Sequence, residues 1–287
     1  MRSRSRPDIV PATLYVVGTP IGNLGDITFR AVETLRHVSR IAAEDTRRTR
    51  ALLSHLGISG KPLDIIEAHR SDRALDALVD HLLAGDSIAL VTDAGMPTIS
   101  DPGTQLIRKA ASRHVPVRVV PGPSAVTAAI AVSGLVDGSF WFVGFLPRSG
   151  GRRTQLIARI AESTEPSVLF ESPHRIETTL ADLARTMPER VAAVSRELTK
   201  LHEETVRGTL QDLFARGNYR GEICIVVGPN PSARESVDEV TLDGWIVEGL
   251  REGTPTKTLA ALLGPRSGLP RRQIYARIEQ IRARRQG

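Results

Sequence analysis

The sequence predicts an α/β protein made of two successive α/β units and a small helical C-terminal extension. Three observations carry this reading. Short apolar runs alternate with helix-like stretches, as expected for sheets covered by helices. The alternation breaks at 134–139 and again at Pro229-Asn-Pro-Ser232, which gives segments 8–134, 139–230 and 238–287. Three strand ends in the first segment open into turns of small residues.

The first segment starts with the apolar run Leu14–Val17, then a turn that Asp26 or Thr28 can close as a helix cap. Strands are expected at Arg40–Ala43, 63–66, Ile88–Val91 and Val117–Val120. Helices are expected over 28–38, 46–56, 72–84, 105–113 and Ala125–Ser133. Asp101 reads as N-cap of the 105–113 helix, with Pro102 at its first position, and Ser124 as N-cap of the next. The second segment reads strand 141–143, helix 153–161, strand 167–170, helix 176–185 and strand 190–195. Extended segments follow near 203–207 and 222–227. The extension reads as helices near 242–251, 257–263 and 271–283. Gly264-Pro-Arg-Ser-Gly-Leu-Pro270 joins the last two in a helix-turn-helix-like outline.

At 287 residues the chain can bury sizeable cores, and no run reaches the ~18 apolar residues of a membrane span. A single cysteine, Cys224, excludes an intrachain disulfide, and no signal-peptide pattern follows the basic start, so a cytoplasmic protein is expected. The histidines show no ligand-like spacing and no metal site is expected. Charge is uneven. Residues 253–287 hold eight Lys/Arg against one acid, Glu279, and residues 1–7 add three arginines, leaving the body of the chain net negative. So one-sided a tail suits a polyanionic partner such as RNA.

The turns are Gly18-Thr-Pro-Ile-Gly-Asn-Leu-Gly-Asp26, Asp93-Ala-Gly-Met-Pro97 with its continuation to Gly103, and Pro121-Gly-Pro-Ser-Ala125. Parallel strands joined by helices place all three on one sheet edge, where open α/β sheets bind ligands. Small residues let a ligand approach the backbone. The glycines are not spaced G-x-G-x-x-G, so a dinucleotide site is not the natural reading.

These turns, with Ala43-Glu-Asp-Thr-Arg-Arg-Thr49, resemble the tetrapyrrole methylase superfamily. Within it they resemble the bacterial 16S rRNA ribose 2′-O-methyltransferases that modify cytidine 1402. Phe142-Val-Gly-Phe-Leu-Pro147, Phe170-Glu-Ser-Pro-His-Arg175, Arg196-Glu-Leu-Thr-Lys-Leu-His-Glu-Glu204 and Gly221-Glu-Ile223 continue the match, which spans about 14–228. The small-molecule branches usually carry Gly-x-Gly-Pro-Gly-Asp in the first turn; this chain does not. The resemblance implies two α/β lobes with a cleft holding S-adenosylmethionine, a homodimer, and the small ribosomal subunit as partner. By similarity, Pro20, Asp93, Ala94, Gly95, Met96, Pro97, Ser124 and Ala125 would line the cofactor site, joined by Leu198 and Thr199 of the second lobe.

Methyl transfer from a sulfonium is an in-line displacement that depends on alignment. A ribose hydroxyl ionises poorly, so a base or nearby cation should help remove its proton. Two charged clusters offer candidates: Glu44, Asp45 and Arg47 in one, Lys200 with Glu203 or Glu204 in the other. A helix start would also explain the first cluster, and a surface ion-pair array the second. Arg48, Arg175, Lys257, Arg271, Arg272 and Arg277, with Arg266, Arg282, Arg284 and Arg285, are candidate RNA contacts. A porphyrin or corrin C-methyltransferase, and a non-catalytic RNA-binding assembly factor, are the competing readings.

Overall fold

Strands buried on both faces need apolar residues at every position, and the inner strands of the first lobe, such as Leu14–Val17 and Ile88–Val91, are of this kind. The computed structural model describes residues 9–66, 72–230, 239–267, 269 and 271–286. The arginines of residues 1–7, and the side chains of Arg284 and Arg285, lie outside the described part. Strands β1 (Leu14–Val17), β2 (Arg40–Ala43), β3 (Leu63–Ile65), β4 (Ile88–Val91) and β5 (Val117–Val120) form a parallel sheet in the order β3-β2-β4-β1-β5. The period of two divides β1 between two cores. Leu14 and Val16 join Leu75, Leu78, Leu82 and Leu106 on one face; Tyr15 and Val17 join Leu35, Ile41 and Leu53 on the other.

The covering helices are α1 (Phe29–His37), α2 (Thr46–His55), α3 (Asp72–Leu83) and α4 (Thr104–Ser112), and α5 (Ala125–Ser133) leads to the second lobe. Thr28 caps α1 by accepting from Ala31 N–H (3.1 Å), and Asp45 caps α2 by accepting from Arg47 N–H (2.8 Å). The expected cap of α4 is corrected. The helix begins at Thr104 and its N-cap is Gly103, at φ 124°, a conformation suited to glycine. Pro102 therefore stands before the helix, and Asp101 is free of the capping role.

The second sheet is mixed. It contains β6 (Trp141–Phe145), β7 (Ser167–Glu171), β8 (Val191–Arg196), β9 (Glu204–Thr209) and β10 (Ile223–Val227) in the order β6-β7-β10-β8-β9. Only the β6–β7 pair is parallel. Helices α6 (Gly151–Glu162), α7 (Ile176–Thr186) and α8 (Leu210–Arg216) cover one face, packing Ile160, Leu180 and Leu213 against Leu169, Val194 and Ile225. The other face receives α5: Val126 and Ala129 pack against Val168, Ala193 and Val226. Arg207 Nε donates to Ser133 O (3.0 Å) and so ties β9 to the end of α5. An apolar helix from the first lobe thus closes the core of the second.

The extension forms α9 (Glu239–Arg251), α10 (Thr256–Ser267) and α11 (Arg271–Gln286) around a core of Leu242, Ile246, Leu259, Leu263, Ile274 and Ile278. Among the described residues, no helix is long and apolar enough to cross a membrane.

Candidate active site

Because β1 lies between β4 and β5, the turns after these strands are neighbours at the carboxyl edge. They are joined backbone to backbone. Thr19 N–H donates to Gly95 O (2.9 Å), Gly95 N–H to Thr19 O (3.1 Å), and Gly18 N–H to Val120 O (3.0 Å). The Thr19 hydroxyl adds a bond to Thr92 O (3.1 Å). A Cβ on Gly18 would lie 2.7 Å from both Gly122 Cα and Met96 Sδ, so that approach requires glycine.

Above this plate the two lobes enclose a cavity of about 320 Å³, within the range of pockets that hold small ligands, which starts at about 300 Å³. Ile21, Ala94, Gly95, Met96, Ser124 and Ala125 form the side from the first lobe. Phe145, Phe170, Leu198 and Cys224 form the side from the second, with Phe145 and Phe170 ring centres 5.7 Å apart. Glu197 (φ 50°) and Thr199 (φ 66°) both adopt left-handed backbone around Leu198, strain that is stored where a loop is held in one functional geometry. The Thr199 hydroxyl is buried without a hydrogen bond among the described residues.

The polar groups facing the cavity are Ser100, Asp101, Ser124, Glu171, Ser172 and Glu222. Ser124 stands at the N-cap position of α5 but makes no capping bond. Asp101 is the most perturbed acid. Burial, reinforced by the Glu44 and Asp93 carboxylates, pushes it up to about 6. Glu171 is fully buried and accepts from Ser172 N–H (2.8 Å), Thr179 Oγ1 (2.7 Å) and Arg175 (3.3 Å).

Six of the expected cofactor residues line this cavity: Ala94, Gly95, Met96, Ser124, Ala125 and Leu198. Pro20 and Pro97 are buried in the turns behind it, and Thr199 stands beside Leu198 outside the lining. Asp93 faces away, accepting from Asp45 N–H (3.2 Å) and pairing with Arg48 (3.4 Å).

None of the five residues expected to do chemistry lines the cavity. Glu44 accepts from Asp93 N–H (3.2 Å) and acts on Asp101 through its charge. Asp45 and Arg47 pair with each other (2.7 Å), and that bond draws the Asp45 carboxyl down to about 2. Lys200 is held by Glu197 (2.9 Å) and Glu222 (3.0 Å); partial burial opposes its charge, but these carboxylates outweigh it and keep the ammonium above the usual lysine range. Glu203 folds back onto Thr199 N–H (2.6 Å). Asp101, Phe145, Phe170 and Glu171 were not expected in the cavity. For Asp101 the sequence carried no signal of this, because aspartate outranks glycine as a helix cap.

Among the expected RNA contacts, Arg48, Lys257, Arg271 and Arg272 are exposed. Arg175 is half-buried beside the cavity. Arg277 is committed to Asp243 (2.7 Å) and Glu239 (3.0 Å) within the bundle.

Comparison with known proteins agrees with this geometry. Residues 13–213 match the family of tetrapyrrole (corrin/porphyrin) methylases. A ribosomal RNA small subunit methyltransferase I from Xylella fastidiosa is 41% identical over 271 residues, 92% of this chain and 98% of the relative. The protein of that name from Synechocystis is 42% identical over 267 residues, 91% and 95% of the two chains. In fold, uroporphyrin-III C-methyl transferase from Thermus thermophilus complexed with S-adenyl homocysteine superposes with a TM-score of 0.54 at 18% identity, over 75% of this chain and 96% of the other. The chain belongs to the tetrapyrrole methylase family and, within it, to the ribosomal RNA small subunit methyltransferase I group.

Proposed function

We propose that this methyltransferase transfers a methyl group from S-adenosylmethionine to the ribose 2′-oxygen of cytidine 1402 in 16S rRNA. The observation that carries the reading is the cavity shared by both lobes, apolar along its walls and bearing a half-buried carboxylate, Asp101, of raised proton affinity. Its shape and lining suit an adenosyl group on the apolar side and a cation near the acids. The names of the relatives support the acceptor, and the basic extension supports RNA.

When bound, the cofactor supplies an electrophilic methyl on a positively charged sulfur. Ile21, Gly95, Met96, Ser124, Ala125 and Leu198 would hold it. We assign Asp101 as the base. It would take the proton that the ribose hydroxyl gives up when it attacks. A carboxylate near 6 is ionised at neutral pH and yet basic enough to take a proton. Glu44 and Asp93 raise that basicity. Lys200, fixed between Glu197 and Glu222, keeps the Leu198 loop in place: its stem packs on Gly22 of the first turn, where a Cβ would meet Lys200 Cγ at 2.4 Å.

The chain would act in the cytoplasm, on small subunits, as a homodimer. Exposed Phe29 and Val119 are apolar surface that a second copy would cover. Labelled methyl transfer to unmodified small subunits, with mapping of the modified ribose, tests the activity. Label at cytidine 1402 is the expected result. Label on uroporphyrinogen, and none on the subunit, would replace RNA by a tetrapyrrole. Sedimentation at micromolar concentration tests the dimer.

A further inference from the structure

A second cavity, of about 400 Å³, opens on the second lobe where the loops after β6 and β7 meet α7. Its lining is cationic and hydroxylic: Arg148, Arg153, Arg175, His174, Ser172 and Thr178. Ser172 also lines the cofactor cavity, so the two share a wall.

The floor of this second cavity is a continuous hydrogen-bonded chain. Arg153, only 6% exposed, donates to Asp182 (2.9 Å), Pro147 O (3.0 Å) and Thr179 Oγ1 (3.0 Å). Thr179 donates to Glu171, and Glu171 accepts from Arg175, which also donates to Leu146 O. The two carboxylates are therefore spent on the floor: Glu171 on Thr179 and Arg175, Asp182 on Arg153 and Arg185. The groups above it are not. Arg148 and His174 are exposed and make no ion pair or hydrogen bond among the described residues. Arg175 engages only one of its terminal nitrogens, so the rest of its fork stays available. Positive charge and free N–H and O–H donors, with acceptors already used, describe a site for an anion.

We infer that this cavity binds a backbone phosphate of the RNA next to the ribose being methylated. The inference rests on the RNA reading above. A ribose 2′-hydroxyl brought to the methyl donor carries its phosphodiester with it, a short distance along the strand. An anion site sharing a wall with the donor cavity is where that phosphate must pass. Phosphate contacts fix register without reading sequence, so the site would aim the ribose oxygen at the methyl group.

The test compares Arg148→Ala, Arg148→Lys and His174→Ala with the unaltered protein on unmethylated small subunits over a range of salt concentrations. Arg148→Ala should raise KM for subunits several-fold and lower the slope of log affinity against log salt by about one. Arg148→Lys should restore the slope. Affinity for S-adenosylhomocysteine, measured by calorimetry, should stay the same in all three. An unchanged slope and KM in Arg148→Ala, with the unaltered protein active, would overturn the phosphate site and leave the RNA reading intact. A fall in S-adenosylhomocysteine affinity would assign the cavity to the cofactor's own carboxylate instead. Failure of the unaltered protein to methylate or bind subunits would reject the RNA reading itself.

Discussion

Asp101 shows how one side chain can be tuned at a cost. Its carboxyl sits in a wall with Met96 and Phe170 and faces the charges of Glu44 and Asp93, so it holds its proton to about pH 6. Asp101→Asn should abolish turnover while leaving S-adenosylhomocysteine affinity within a few-fold, measured by calorimetry. In the unaltered enzyme, kcat/KM should fall as pH drops through about 6, because the base must be ionised. The same residue has a stability consequence. Its folded pKa lies above its ordinary value of 3.8, so the folded state loses stability as pH rises from about 4 to about 6 and stays lower beyond. Asp101→Asn should therefore raise the Tm at pH 7, by an amount worth about 1 kcal/mol once solvent screening at this half-open position is allowed for. The sequence hid this role because Ser-Asp-Pro-Gly also describes a helix start. Only the backbone of Gly103 shows that the cap lies two residues further on.

At the scale of elements, the first lobe was legible because its inner strands β1 and β4 are buried on both faces and read as unbroken apolar runs between helix-forming stretches, while Asp64 and Arg118 interrupt the partly exposed edge strands β3 and β5. The second lobe was less so. α8 follows β9 with no intervening turn residue and spans only Leu210–Arg216, too short for a periodic signal. Its start is nevertheless written in a capping box: Thr209 accepts from Asp212 N–H (3.1 Å) while Asp212 accepts from Thr209 N–H (3.3 Å). Thr209→Ala should cost about 1 kcal/mol, read as a lowered midpoint in urea unfolding. Arg153 is a larger case. Its side chain is 8% exposed and every donor group is used, so Arg153→Ala leaves Asp182 with Arg185 alone and takes the donor from the Pro147 carbonyl and the Thr179 hydroxyl. A loss of about 2–3 kcal/mol is expected, seen as a fall in the calorimetric Tm. Charged residues at 44–48 and 196–204 drew attention in the sequence because charge density is visible there. Which acid is buried is a property of packing, and it is set by loops that meet only after folding.

At the scale of the molecule, the extension has a core of its own around Ile246, Leu263, Ile274 and Ile278. Removing residues 239–287 should therefore leave the S-adenosylhomocysteine affinity of the two lobes unchanged and weaken binding to small subunits, most strongly at low salt, where phosphate contacts count most. Equal subunit affinity at low salt would mean that Lys257, Arg271 and Arg272 face solvent without an RNA role. The sequence placed α5 correctly as a helix, but its all-round apolar character does not say which sheet it joins. It packs on both sides of the molecular divide, and this makes the boundary between lobes a shared core rather than a hinge.

The reciprocal Thr19–Gly95 bonds and the Gly18–Gly122 approach have a consequence for any attempt to reshape the donor pocket. The three turns are far apart in sequence but behave as a single casting. A substitution in one of them changes the backbone on which the other two rest. Changes at Ile21, Met96 and Ser124 should thus be strongly non-additive in double-mutant cycles, even without direct side-chain contact. Variation that alters cofactor preference would have to arise in several turns at once.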